Sequence, residues 1–296
     1  MNKIPVFFDE KMSCSEKLPS PSARKPPLAL ERWRADGMPM DIKSFLPASA
    51  EDFKTVHDAS HVDAILGLRR KNGFGTLGAG ARDSLAWTTG SFMAAAKSAA
   101  LSGLAACSPT SGFHHACWDS AHGYCTFNGL MCAAAALRLD GLDGQIAILD
   151  CDQHYGDGTE DILSRGLVDG VIHATAETGY PMQGEAFLEA LPNILESMSG
   201  ASVMFYQAGA DCHVDDPLGG FLTSEQMRER DRLVFEFCAT RKIGIAWNLA
   251  GGYQEERLAS GERSIRRVLD LHAQTMEECA KAFLSPSVGI AVQNRP

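Results

Sequence analysis

Three short segments carry side chains able to do chemistry together. An apolar run, 145–149, ends in Asp150-Cys-Asp-Gln-His154: two carboxylates and an imidazole at alternate positions. Residues i, i+2 and i+4 of a strand share one face, so Asp150, Asp152 and His154 point the same way if the strand runs that far. Tyr155-Gly-Asp-Gly158 then turns the chain. Gly112-Phe-His-His115 adds adjacent imidazoles, and Gly209-Ala-Asp211 adds a carboxylate behind another apolar run. Two Asp and one His with a position left open form a ligand set for a catalytic rather than a structural zinc. An Asp-x-Asp pair alone is more often a helix cap, and a His-His pair alone is more often one core and one surface residue. Only together do the three segments read as a site.

The elements that must position them alternate in type. Strand-like apolar runs fall at 6–8, 145–149, 170–172, 202–206 and 244–248. Helical patterns fall at 88–106, which is Ala-rich, at 130–139, and in a run with Leu28, Leu30 and Trp33. Strands alternating with helices predict an α/β fold: a mostly parallel sheet covered on both faces. The candidate ligands follow strands 145–149 and 202–206, in the place where open α/β sheets bind ligands. The Pro- and Ser-rich segment 18–27 reads as an ordered surface loop. With no repeat or linker, residues 1–296 read as a single catalytic domain.

Four blocks in order span residues 111–253. They are Ser111-Gly-Phe-His-His-Ala116 with Gly123-Tyr-Cys-Thr-Phe-Asn128, Asp150-Cys-Asp-Gln-His-Tyr-Gly-Asp-Gly-Thr159, Gly209-Ala-Asp-Cys-His-Val-Asp-Asp-Pro-Leu-Gly219, and Ala250-Gly-Gly-Tyr253. Weaker similarity reaches back to Phe8-Asp-Glu10 and Val56-His-Asp58. These blocks resemble the histone deacetylase family, which also includes acetylpolyamine amidohydrolases and bacterial homologues.

The resemblance implies the three-layer arginase/deacetylase fold and a role for each residue. Asp152, His154 and Asp211 match the family's zinc ligands, and Fe(II) also suits such an oxygen and nitrogen set. Asp150 matches a carboxylate that orients His114 and helps hold a structural monovalent cation, K+ or Na+. Asp157 backs His115, the principal general base and acid for activating water and protonating the leaving amine. Tyr253 would donate a hydrogen bond to the developing oxyanion, and Gly251 and Gly252 before it would line the substrate channel, letting the backbone approach the substrate. Gly123 and Tyr124 match the lining of the acyl-lysine channel, with Tyr180 as the opposing aromatic.

Departures from the family pattern limit what carries over, without excluding acetylpolyamines. Tyr155 stands where relatives commonly carry a second histidine. Leu218 stands where the eukaryotic polyamine-selective deacetylase has an acidic gatekeeper. His213, two residues after Asp211, is a neighbour rather than a ligand. The leading expectation is hydrolysis of an acetylated primary amine, acetyl-lysine in a peptide or protein ahead of an acetylated polyamine. A binuclear manganese ureohydrolase would use Asp-x-His-x-Asp, but the residue two after His154 is Gly156, which supplies no ligand. A noncatalytic acyl-lysine sensor would be expected to have lost ligands or Tyr253, and all are present.

Composition agrees. The 296 residues are 45% hydrophobic, enough for a large core. A net charge of -10 disfavours nucleic acid and favours cationic substrates. Nine cysteines without a Cys-x-x-Cys pair point to a reducing compartment. Met1-Asn-Lys-Ile-Pro5 lacks a signal-peptide apolar region, and no run approaches ~20 apolar residues. The expectation is therefore cytoplasmic, with no membrane partner; the sequence does not set the oligomeric state.

Overall fold

The computed structural model describes residues 2–261 and 263–285; the ends of the single-domain expectation, 1 and 286–296, lie outside the described residues. In chain order the elements are β1 (Ile4–Phe7), α1 (Lys25–Ala35), β2 (Met40–Lys43), α2 (Ala50–Lys54), α3 (Ala59–Leu66), α4 (Ala79–Ser102) and β3 (Ala105–Ser108). There follow α5 (Gly129–Leu139), β4 (Gln145–Asp150), α6 (Asp157–Ser164), β5 (Val171–Ala174), α7 (Gly184–Ser197), β6 (Ala201–Gln207), α8 (Ser224–Arg241) and β7 (Gly244–Asn248). A small antiparallel ribbon, β8 (Glu256–Arg257) and β9 (Arg263–Ser264), precedes α9 (Arg266–Leu284).

The first seven strands form one sheet, ordered β2-β1-β3-β7-β6-β4-β5, and every pairing is parallel. Alternate side chains along each strand enter different cores, as the period of two requires. Ala147, Leu149, Met204 and Tyr206 pack with Leu30 and Trp33 of α1, Leu191 of α7, Phe235 of α8 and Met276 of α9. Ile146, Ile148, Val203 and Phe205 pack with Phe92 of α4, Leu130 of α5, Ile65 of α3 and Ile162 of α6. The central strands are thus buried on both faces, which is why they read as unbroken apolar runs. Three layers result, as predicted. No helix among the described residues is long and apolar enough to cross a membrane.

Two sequence expectations need correction. The helix expected at 88–106 is α4, Ala79–Ser102, and Ala105 and Ala106 belong to β3. Gly103 stops the helix in the left-handed conformation, φ 67, its N–H donated to Ala99 O. Segment 18–27 is not a surface loop: Pro21–Arg24 is a 3-10 turn, Pro26 and Pro27 lie in the first turn of α1, and Pro21, Ser22, Lys25 and Pro26 are buried. Proline is tolerated there because the first-turn N–H groups have no intrahelical acceptor.

Candidate active site

Strands β3, β7, β6 and β4 end level, so that Ser108, Asn248, Gln207 and Asp150 form a polar row across the sheet. Asn248 Nδ2 donates to Gln207 Oε1 (3.3 Å) and Gln207 Nε2 donates to Asp150 Oδ1 (2.8 Å). Strand β4 stops at Asp150, so Asp152 and His154 do not share its face as an extended strand would arrange. Their N–H groups bond backwards instead, Asp152 N to Asp150 Oδ1 (3.2 Å) and His154 N to Asp152 Oδ1 (3.0 Å). These Asx-type turns curl the chain. Asp150 is left beneath the site, while Asp152 and His154 turn towards Asp211.

Asp152, His154 and Asp211 converge: their candidate ligand atoms all lie within 4.8 Å of one another. His154 Nδ1 is 3.0 Å from Asp152 Oδ1 and 3.2 Å from Asp211 Oδ2. Gly251 N donates to Asp152 Oδ2 (2.9 Å) and Gln153 N to Asp211 Oδ1 (3.2 Å), which aims the carboxylates. Residue 251 must be glycine, because a Cβ there would lie 2.1 Å from Asp211 Oδ2. The set fits a divalent cation. Asp211 Oδ2 is buried with no hydrogen-bond donor. Burial, and then the charge of Asp152, push the Asp211 carboxyl up to about 7, as expected for two crowded buried carboxylates. The bond to Asp152, with Asp211 Oδ2 beside the same nitrogen, holds the His154 imidazole up to about 10.

The adjacent histidines each rest on a carboxylate. His114 is buried, with Nδ1 2.7 Å from Asp150 Oδ2 and Nε2 3.6 Å from Asp152 Oδ1. Burial opposes its protonation, but Asp150 and Asp152 outweigh it, leaving its pKa raised to about 9. His115 has Nδ1 2.6 Å from Asp157 Oδ1, and burial lowers its pKa against the pull of that bond. It is the better base candidate of the two, since its second nitrogen is less loaded with negative neighbours. Gly123, with φ 54, lies under this ring: a Cβ would meet His115 Cδ2 at 2.4 Å.

Tyr253 is half-buried beside Tyr124, ring centres 5.7 Å apart, and Phe74 flanks Tyr124 at 5.9 Å. Tyr253 N donates to Asp216 Oδ2 (2.8 Å), which fixes the turn after Gly251 and the buried Gly252. Burial, with Asp152 and Asp211 behind it, pushes the phenol pKa up, so the hydroxyl keeps its proton and remains a donor. Lys25, from the Pro-rich segment, is fully buried and donates Nζ to Ala250 O (2.6 Å) and Gly251 O (2.9 Å). Burial lowers it to about 8 against the attraction of Asp211, Asp152 and Asp216.

Tyr180 is not a channel wall. It is 6% exposed, packs edge-on against Phe187, and donates its hydroxyl to Asp150 O (2.6 Å) and Asp152 O (3.2 Å). Adjacent Gly179 closes against Thr175, which draws the ring under the ligand turns. The monovalent cation expected at Asp150 does not fit these residues. Tyr180 takes the two carbonyls. Asp150 Oδ1 accepts from Gln207 and Asp152 N, and Oδ2 faces His114 and, at 3.8 Å, His173. His173 is held in turn by Glu160 (2.7 Å).

His213 bonds with Ser224 Oγ (2.9 Å) and Gln254 Nε2 (3.1 Å), consistent with a neighbour of the ligand set, while Leu218 is exposed. Lys25, Asp216, Phe74, Gln207 and His173 were not singled out from the sequence. Only Asp216, inside the Gly209 block, lay within a motif that could have flagged it.

Fold and site together define a three-layer α/β protein with a buried carboxylate and imidazole cluster at its strand ends. The family profile described as histone deacetylase domain matches residues 27–189, over half of the chain, and the chain belongs to that family. It is 30% identical over 167 residues to an uncharacterized protein of Picosynechococcus sp., covering 50% of this chain and 56% of that protein. It is 25% identical over 205 residues to a probable deacetylase of Methanothermobacter thermautotrophicus, covering 58% and 60% respectively. The matches thus span a little over half the length of these curated relatives. The structure of an acetylpolyamine aminohydrolase from Burkholderia pseudomallei superimposes with TM-score 0.75 at 17% identity, covering 95% of this chain and 99% of that one, which supports the fold. Asp211 and Tyr253 lie beyond the profile match, so their placement beside the motif residues is a result of the structure.

Proposed function

We propose that this chain is a zinc-dependent amidohydrolase, one catalytic domain over residues 1–296, that removes an acetyl group from a primary amine, with acetyl-lysine in a peptide or protein favoured. One observation carries the reading: Asp152, His154 and Asp211 converge next to two histidine–carboxylate pairs, with Tyr253 on the turn that Gly251 ties to Asp152. Asp152, His154 and Asp211 would hold the zinc. Zinc at this point supplies Lewis-acid polarisation of the amide carbonyl and lowers the pKa of a water from ~15.7 towards ~7.

The remaining work falls to the chain's own groups. His115, with Nδ1 engaged by Asp157, offers Nε2 to take a proton from the attacking water and return it to the amine nitrogen as the C–N bond breaks. His114, its Nδ1 held by Asp150, presents Nε2 towards Asp152 and is the second imidazole available for proton transfer. Tyr253 Oη donates to that oxyanion. Tyr124, with Phe74 behind it, offers an aromatic surface to the methylene chain of the substrate.

The net charge of -10 suits cationic substrates of either kind, so an acetylated polyamine is the second reading. The exposed Leu218 in place of an acidic residue favours acetyl-lysine. All nine cysteines are free, in keeping with a cytoplasmic location. The test is kcat/KM of zinc-loaded protein for an acetyl-lysine peptide, N-acetylputrescine and N-acetylspermidine, with metal analysis of the same sample. Turnover led by the peptide and one zinc or iron per chain is expected. Polyamine preference would select the second reading. Dependence on two manganese ions, or no turnover at all, would overturn both.

A further inference from the structure

The loop between His115 and Tyr124 carries ligand-type side chains that the reading above leaves unused. Cys117 is half-buried, whereas the other eight cysteines are buried. Its Sγ lies 3.8 Å from His122 Nε2 and 3.9 Å from Asp157 Oδ2, and His122 Nε2 is 2.9 Å from that same oxygen. Ligand atoms around one tetrahedral zinc, at about 2.0–2.3 Å from the ion, stand roughly 3.3–3.6 Å from one another. The three atoms therefore need to move by only a fraction of an ångström to become such a set.

The loop is also fixed rather than loose. Cys117 N donates to Ser120 O (3.0 Å), Trp118 N to Asp161 Oδ2 (2.8 Å) and Cys125 N to His122 O (2.8 Å), and Asp157 opens α6. The side chains of His122 and Asp157 are 49% and 36% exposed, so an ion from solvent reaches them directly and water can complete its coordination.

We propose that Cys117, His122 and Asp157 form a second, weaker site for a thiophilic divalent metal such as zinc, and that filling it inhibits the enzyme through Asp157. Binding exchanges the thiol proton of Cys117 for the metal, and that proton leaves to solvent. The inhibition follows from geometry. Asp157 Oδ1 holds His115 Nδ1 at 2.6 Å while Oδ2 faces the new site. A cation on Oδ2 draws away the negative charge that orients and supports His115, and partners of that kind carry effects of about 10–100-fold.

Cobalt(II) separates this site from the other, because Asp152, His154 and Asp211 include no sulfur. Protein already holding one zinc is titrated with Co2+. A near-ultraviolet thiolate-to-cobalt absorption saturating at one added ion per chain is expected, absent in Cys117→Ser and weakened in His122→Ala, both variants keeping the unperturbed far-ultraviolet circular dichroism and Cys117→Ser also the basal rate. In parallel, excess zinc should slow the wild type about tenfold or more and leave Cys117→Ser nearly unaffected. Cobalt binding without a thiolate band, or a band that survives Cys117→Ser, overturns the site. A band without inhibition overturns the link to Asp157. The inhibition rests on the amidohydrolase reading, but the cobalt band does not, so a protein without turnover still decides whether the site exists.

Discussion

The Tyr180 hydroxyl lies 2.6 Å from the main-chain oxygen of Asp150 and 3.2 Å from that of Asp152, so a single phenol closes the turn that carries two of the three candidate metal ligands. The hydroxyl thus engages the turn where the family resemblance implies a monovalent cation. Activity and thermal stability should therefore be the same in potassium, sodium and tetramethylammonium buffers of equal ionic strength. Tyr180→Phe leaves two buried carbonyls without a donor, a loss of about 1–3 kcal/mol. Its melting temperature should fall and should rise again with potassium but not with tetramethylammonium. A wild-type enzyme that stops working without potassium would show that the phenol does not substitute for the ion.

Gly251 tests whether the metal cluster is built as described. Its N–H aims Asp152 Oδ2, and its missing Cβ leaves room for Asp211. Gly251→Ala places a methyl group 2.1 Å from Asp211 Oδ2, with no flexible chain to yield, so the carboxylate must leave its position. Zinc affinity should fall by about 10–100-fold, as for other changes that disturb ligand orientation. Equilibrium competition with a chelator measures it. Unchanged affinity would mean that Asp211 is not a ligand.

Much of this site was legible because its residues are local in sequence. Asp150 to His154 follow a predicted strand and His114-His115 are adjacent in sequence, and the parallel sheet follows from unbroken apolar strands, although β3 before the histidines overlaps the end of a predicted helix. The failures have physical causes. Alternation placed Asp150, Asp152 and His154 on one face, but backbone bonds to Asp150 and Asp152 curl the chain at the strand end, which no periodicity encodes. Tyr180 matched a channel aromatic by its place before Pro181, yet the turn around Gly179 directs the ring inward. Lys25 reaches Ala250 across 225 residues of sequence. A buried lysine in a proline-rich segment carries no local signal of its partners.

His115 should dominate proton transfer. Its Nδ1 is committed to Asp157 and burial lowers its pKa, leaving a nitrogen free to accept a proton near neutral pH. His115→Ala should lower kcat by about 10²-fold or more while zinc content stays the same. Near-normal activity across a full pH profile would remove His115 from that role. In contrast, His114→Ala should also disturb the metal cluster, because His114 Nε2 lies 3.6 Å from Asp152 Oδ1. Metal content thus distinguishes the two histidines.

Tyr253 offers the cleanest separation of transition-state stabilisation from structure. Its ring packs near Tyr124 and its main chain is fixed by Asp216, so Tyr253→Phe keeps both contacts and removes only the hydroxyl. Burial and the Asp152 and Asp211 carboxylates push the phenol pKa up, which keeps the proton on the hydroxyl, so its loss is the loss of a donor rather than of a charge. Removing one donor to an oxyanion costs ~3 kcal/mol, or roughly 10²-fold in rate. The effect should fall on kcat with KM little changed, because the bond strengthens only as the carbonyl oxygen gains charge. Zinc occupancy and melting temperature should match the wild type. A loss confined to KM would move Tyr253 to substrate binding, and a loss of zinc would make it part of the metal cluster's support.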